Sequence, residues 1–256
     1  MKQFIKETLE QAGDEIMKFY GSREVLYTKE NVSDVVTKAD LASNRIIVEA
    51  IKEKFPDHGI VSEEDEGYQI TADNLWYIDP LDGTRNFSTT VPLFGINISM
   101  ANNGVVTHAA IYQPITKEFV YAEAGQGTFL NGEKVTFSKV EKWENSYGLT
   151  PISPSLETDA VKQKIYELSN KTAWMNSLAS SAVAGALVST GRRDWYFTPN
   201  SNTWDLAANS LIAKEAGAVV TNLAGEDYKP GDQGLVIANE TLHPKLLEIV
   251  KNGYGV

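Results

Sequence analysis

The residues of this chain best suited to chemistry are carboxylates, and the most informative group lies in Trp76-Tyr-Ile-Asp79-Pro-Leu-Asp82-Gly83-Thr84-Arg85. A hydrophobic run, Leu75–Ile78, ends in an aspartate, a turn is expected at Pro80, and a second aspartate stands just before Gly-Thr. Asp82 is thus placed to precede a helix whose first amides belong to Gly83, Thr84 and Arg85. Unpaired amides at a helix start attract anions, and a glycine among them lets a phosphate approach closely. Carboxylates for a cation and amides for a phosphate therefore sit within one short stretch. The same stretch has a plainer reading, because Asp-Pro and Asp-Gly are turn dipeptides and Asp82 can cap a helix.

Other acids fall at the ends of elements. Ser62-Glu63-Glu64-Asp65 follows the strand-like run Gly59–Val61; alone, such a run reads as a solvated loop. Asp40, in Val36-Thr-Lys-Ala-Asp40, alone reads as a helix-start residue, and Trp204-Asp205-Leu-Ala-Ala opens a helix, where an aspartate is electrostatically favoured. The Asp-x-Asp-Gly-Thr nucleophile motif of haloacid dehalogenase phosphatases is absent, since two residues separate Asp79 from Asp82. Neither is assigned as a covalent nucleophile.

Composition limits what these acids can serve. There is no cysteine, which excludes disulfides, thiolate metal sites and a cysteine nucleophile. His58, His108 and His243 are scattered singly, so a metal must be held by oxygen, which favours magnesium, manganese or calcium. A net charge of −11 argues against a nucleic acid polymer as partner, yet a bound cation can still draw a phosphorylated small molecule. The N-terminus has no signal-peptide core and no apolar run approaches a membrane span, so a soluble cytoplasmic protein is expected.

The elements that must position the acids follow from periodicity. Ile5, Leu9, Ala12, Ile16 and Phe19 predict an amphipathic helix over 2–20, and Ile47, Val48, Ile51 and Phe55 predict another over 39–54, closed by Pro56. Phe94–Met100, Val105–Tyr112, Phe119–Ala122 and Gly127–Leu130, with the Asn131-Gly132 hairpin signal, read as an antiparallel meander. Gly125-Gln-Gly127 lacks the third glycine of a dinucleotide fingerprint and reads as a hairpin turn; there is no P-loop. The Pro- and Ser-rich segment 148–155 marks a lobe boundary, dividing the chain into 1–147, with the metal and phosphate motifs, and 148–256, which completes the site. Beyond it come a small-residue helix near 180–190, a strand over Trp195–Thr198, a helix from about 204 to 216, a strand pair near 218–222 and 235–238, and a terminal helix from Pro244. The sum is a mixed α/β chain of two lobes, its sheets covered by helices.

Taken in order, Asp40, Glu63-Glu64, Asp79-Pro-Leu-Asp82-Gly-Thr and Trp204-Asp205-x-Ala-Ala closely resemble the inositol monophosphatase family of lithium-sensitive, magnesium-dependent phosphatases. The likeness spans nearly the whole chain, including the Ser180-Ser-Ala…Thr-Gly191 stretch. The resemblance implies a layered α-β-α-β-α sandwich of the sugar-phosphatase type, usually paired as a homodimer. It implies that Glu63, Asp79 and the carbonyl of Leu81 hold one Mg2+, that Asp79, Asp82 and Asp205 hold a second, and that Glu63 helps bind a third; Mn2+ is a possible substitute. It assigns Thr84 and Asp40 to orienting and deprotonating the attacking water, and the amides of Gly83 and Thr84 to the phosphate. Ala179, Ser180 and Thr198 fall where the substrate binds.

Three departures from the family pattern stand out; none is expected to touch the metal ligands, and two of them, Thr198 and Ala179, fall where the leaving group should sit. Thr198 stands where inositol-preferring members carry a glutamate, Ala179 where a glycine is usual, and Asn209 where a glycine follows Trp-Asp-x-Ala-Ala. Phosphatase chemistry on a small metabolite is expected, with inositol phosphate, fructose 1,6-bisphosphate, the 2′-phosphate of NADP and a 3′-phosphoadenosine nucleotide open as substrates. A non-catalytic module binding metal or phosphate is the remote alternative. Arg192-Arg193 offers a second-phosphate contact or a solvated pair, and Lys29 lies near a family lysine bordering the site.

Overall fold

The computed structural model describes residues 1–22, 25–28, 35–151 and 156–256. Lys29 and residues 152–155 lie outside the described residues. The first elements are α1 (Lys2–Met17), β1 (Val25–Thr28), β2 (Val35–Thr37), α2 (Lys38–Lys54), β3 (Gly59–Ser62), β4 (Asn74–Asp82) and α3 (Thr84–Ser88). The meander follows as β5 (Gly95–Asn102), β6 (Val105–Gln113), β7 (Glu118–Glu123), β8 (Gly127–Leu130) and β9 (Glu133–Val135). Next come β10 (Tyr147–Leu149), α4 (Leu156–Leu168), β11 (Trp174–Asn176), α5 (Ser181–Ser189) and β12 (Trp195–Thr198). The chain closes with α6 (Thr203–Glu215), β13 (Val219–Thr221), β14 (Leu235–Ala238) and α7 (His243–Tyr254).

Seven strands form one sheet in the order β3-β4-β5-β6-β7-β8-β9, with β3 parallel to β4 and the rest antiparallel. Strand alternation gives this sheet two apolar faces. Trp76, Ile78, Ile96, Ile98, Ala110, Tyr112, Phe119 and Tyr121 pack with the Ile5–Leu9–Ile16 stripe of α1 and with Ile47 and Ile51 of α2. Ala109, Ile111, Val120 and Ala122 point the other way, onto α5 and α6. The second sheet, β11-β10-β12-β14-β13, lies beyond those helices: Tyr196, Leu235 and Ile237 pack back on them. Trp195, Phe197, Val236 and Ala238 face outward against α4 and α7. The result is five layers, α-β-α-β-α. Helix α6 lies in the middle layer beside α5, with Leu206–Ala213 all buried, because a helix between two sheets is covered on both sides and is largely apolar.

Two details differ from the periodicity reading. Helix α1 ends at Met17, and Tyr20 leaves the helical path to pack its ring against Phe87 and Phe94. Strand β4 does not turn away at Pro80: it runs to Asp82, with a bulge in its pairing to β5 between Asp79 and Asp82. A proline is tolerated there because the bulge asks no ladder hydrogen bond of it.

Candidate active site

The bulge decides where the acids go. Up to Ile78, β4 alternates Trp76 and Ile78 toward α1 and α2 with Tyr77 between, so Asp79 shares the Tyr77 face, toward α6. Parallel pairing of Ser62 with Ile78 brings the next residue, Glu63, level with Asp79, and the Glu63 amide donates to Ile78 O at 3.1 Å. Glu63 and Asp79 are hydrogen-bonded through their side chains, while Glu64 faces Asp40. After the bulge Asp82 also lies against the middle layer. Its carboxylate accepts the Ser180 hydroxyl, the Ser181 hydroxyl and the Ser181 amide, the last at 3.0 Å.

Asp40 and Asp205 reach the site by the same device. Each is the third residue of its helix, with a carboxylate that folds back on the backbone N–H before the helix: Thr37 to Asp40 at 2.8 Å, and Asn202 to Asp205 at 3.0 Å. The Thr37 hydroxyl adds a 2.5 Å bond to Asp40. Ser43 of α2 donates to Pro80 O at 2.7 Å, and Ser62 donates to Asn44 at 2.7 Å, which tie α2 to the ends of β4 and β3.

Oxygens of Asp79, Asp82 and Asp205 all lie within 4.8 Å of one another, two of the three residues fully buried. Like charges this close in a dry site hold protons instead of ionising. Burial above all, then Glu63, Asp82 and Asp205, pushes Asp79 well above the usual carboxylate range. Burial likewise raises Asp82 against its serine hydrogen bonds, and burial with Asp82 and Glu63 pushes Asp205 up to about 8. A set of hard oxygen donors this close together fits a divalent cation of the magnesium or manganese kind.

Beside the trio, Thr84 Oγ1 lies 3.0 Å from Asp40 Oδ1 and 2.9 Å from Leu81 O. Burial pushes Asp40 up to about 7, against hydrogen bonds from Thr37 that lower it, with Glu64 raising it further. Gly83 precedes Thr84 with φ of +88°, and a Cβ there would lie 2.8 Å from Leu93 O, so only glycine serves at this corner.

A cleft opens from Asp82 and Asp205 between the sheets, lined also by Thr150, Ala179, Ser180, Ser181, Tyr196 and Thr198. The structure therefore brings Asp82, Asp205, Ala179, Ser180 and Thr198 to one cleft. Ser180 also caps α5, accepting from Val183 N at 3.1 Å. Ala179 adopts a left-handed φ of +55°, the conformation expected where a glycine is usual. Thr198 shares a 2.9 Å hydrogen bond with Ser201. Arg192 stands beyond the far end of α5 and forms a bidentate pair with Glu118 at 2.8 and 2.9 Å. The Gly125 and Gly127 amides both bind Glu215 at 2.8 Å, in the hairpin between β7 and β8.

Sequence reasoning did not find Ser43, Asn44 or the grip of Ser181 on Asp82. The Ser180-Ser181 pair offered the only signal, because two hydroxyls at a helix start can grip an acid from elsewhere.

Two buried carboxylates and a half-buried third at the end of a sheet, with a hydroxyl–carboxylate pair beside them, form a site suited to a divalent cation and an activated water. The comparisons with known proteins agree. The model of the inositol monophosphatase family matches residues 1–253, and the chain belongs to that family of phosphatases. It is 33% identical over 247 residues to a fructose-1,6-bisphosphatase/inositol-1-monophosphatase of Thermotoga maritima, covering 96% of this chain and 94% of the relative. It is 31% identical over 243 residues to a putative Nus factor SuhB of Neisseria meningitidis, covering 93% of each. A solved Thermotoga maritima IMPase superimposes with a TM-score of 0.91 at 31% identity, over 100% of this chain and 99% of that one. Among the described residues, no helix is long and apolar enough to cross a membrane.

Proposed function

We propose that the chain hydrolyses phosphate monoesters of small polyols, inositol phosphate among them, using Mg2+ held by Glu63, Asp79, the Leu81 carbonyl, Asp82 and Asp205. The observation that carries this reading is the approach of the Asp79, Asp82 and Asp205 oxygens to within 4.8 Å beside the Thr84–Asp40 pair. Bound there, two or three Mg2+ ions, or Mn2+, would neutralise the phosphate charge and make water a stronger nucleophile. The remaining work falls to the chain. Asp40 draws the Thr84 proton toward Oδ1, in competition with Leu81 O, so a Thr84 lone pair is free to accept from water. The proton that water releases passes through Thr84 to Asp40, which acts as the base. Water oxygen bonds to phosphorus, the ester P–O bond breaks, and the leaving alkoxide takes a proton from solvent in the open cleft. The Gly83 and Thr84 amides orient the phosphate, and Ala179, Ser180 and Thr198 receive the alcohol.

Thr198 is a short neutral hydroxyl already paired with Ser201, so it selects weakly among alcohols. A second reading, fructose 1,6-bisphosphate as substrate, is favoured by the double name of the Thermotoga maritima relative. The further expectations are lithium inhibition, a homodimer, a cytoplasmic site of action, lobes divided at 147/148 and no nucleic acid polymer as partner. Phosphate release from a panel of phosphorylated metabolites, with Mg2+ and then with chelator, tests the reading. Full activity in excess chelator would remove the metal mechanism, and a hundredfold preference for inositol phosphate over all others would remove the weak selectivity.

A further inference from the structure

Asn209 lies in the second turn of α6 and is fully buried. Its amide donates both protons, one to Ser181 O at 3.1 Å and one to Asp205 O at 2.8 Å. These acceptors are first-turn carbonyls of two different helices, α5 and α6. Ser181 in turn grips the Asp82 carboxylate through its amide and hydroxyl. A continuous hydrogen-bonded path therefore runs from Asp82 through Ser181 and Asn209 to the turn that carries Asp205.

Gly185 makes room for this path. A Cβ at residue 185 would lie 1.7 Å from Asn209 Oδ1 and 2.4 Å from Asn209 Cγ, so the asparagine occupies the space that any other residue would fill. Asn209 Oδ1 itself is buried without a partner among the described residues. Packing alone would be better served by leucine, which leaves no orphaned oxygen. What the amide adds is its pair of bonds.

We propose that Asn209 is a positioning residue that fixes the separation of Asp82 and Asp205, and so sets the affinity of the site for its divalent cation, with Gly185 as the gap it requires. This rests on the reading of Asp82 and Asp205 as metal ligands. Groups that orient metal ligands from behind commonly govern affinity by about 10–100-fold. Asn209→Leu removes both bonds at similar volume, while the two carbonyls keep their ordinary helical roles.

The test is calorimetric titration of the full chain with Mg2+ alone, without substrate, alongside melting in chelator. Asn209→Leu is expected to raise the Mg2+ Kd about tenfold or more, with a melting temperature in chelator close to that of the wild type. A purely structural role would do the reverse. Gly185→Ala, which displaces the amide from the opposite side, is expected to weaken Mg2+ similarly and carries the test if Asn209→Leu does not fold. Asp205→Asn is the control. If it loses Mg2+ affinity while Asn209→Leu and Gly185→Ala bind as the wild type does, the positioning role is overturned and the ligand reading stands. If Asp205→Asn itself binds like the wild type, the ligand reading falls first and the positioning role with it.

Discussion

Asp205→Asn should make the metal-free protein more stable. Its carboxylate shares a 4.8 Å neighbourhood with Asp79 and Asp82. At an effective dielectric constant near 20, two unit charges at that distance repel by about 3.5 kcal/mol, so ionising Asp205 beside one charged neighbour costs about that much. Burial above all, with Asp82 and Glu63 adding to it, favours a held proton and pushes Asp205 up to about 8. Retaining a proton at pH 7.5 that an ordinary aspartate releases near 3.8 corresponds to an upper limit of roughly 5 kcal/mol. Water in the open cleft reduces this, and about 2–3 kcal/mol is a reasonable expectation for the asparagine variant. The side-chain carbonyl of asparagine can still accept the Asn202 amide now bound at 3.0 Å, so the helix start is preserved.

For a chain of this size each kcal/mol moves the melting temperature by about 2–4 °C, so a rise of roughly 5–10 °C in chelator at pH 8 is expected. The sign with pH follows from a folded-state value above the unfolded one. The stability linked to that proton is fully present below about pH 4 and is lost as pH rises toward 8, so the variant's advantage should vanish near pH 4. Mg2+ reverses the order, adding about 2.7 kcal/mol to the wild type at a hundred times its Kd and less to the variant. Differential scanning of both proteins at pH 4.5 and 8, with Mg2+ or chelator at constant ionic strength, measures all of this. An advantage of equal size at both pH values, or a variant less stable than the wild type in chelator at pH 8, would refute the electrostatic account.

Thr84→Ala should lower phosphate release by about 10²-fold or more, while Thr84→Ser, which keeps the hydroxyl 3.0 Å from Asp40, should retain most of it; equal loss in both would end the relay role. Ala179→Gly should raise the melting temperature by about 2–3 °C, because the left-handed φ of +55° costs an L-residue about 1 kcal/mol that glycine avoids; no change would show that the corner is unstrained. Glu215→Ala should release the Gly125 and Gly127 amides, each now bound at 2.8 Å, which hydrogen exchange at those two residues reports directly.

Much of this was legible because burial writes itself into spacing. The stripe Ile5, Leu9, Ala12, Ile16 and the alternation through Phe94–Ala122 are the consequences of facing a sheet and forming one. Asn131 and Gly132, both at positive φ, make the hairpin that their dipeptide announces. The acids were legible because they sit at element ends in a recognisable order. Strands β10 and β11 were not: each has three residues, and Tyr147 and Trp174 on them are exposed, so neither carries an inward pattern. The polar supports were illegible for a different reason. Ser43 and Ser181 look like surface residues of helices and Asn209 stands out only as a departure from the family pattern; their partners at Pro80, Asp82 and Asp205 are chosen only when the layers stack. The bulge at Pro80 likewise depends on the pairing strand β5, which local sequence does not display.

Helix α6 has one more consequence, for traffic. It is clasped between the two sheets along Leu206–Ala213, where even the polar Asn209 and Ser210 are buried and donate to backbone carbonyls. A jaw-like parting of the sheets would strip that clasp and wet an apolar rod, at a penalty that grows with every residue uncovered. That penalty opposes such a motion as a route of entry. The route that leaves α6 covered runs over the loops at the rim of the cleft, near Pro151, Pro199 and Ser201.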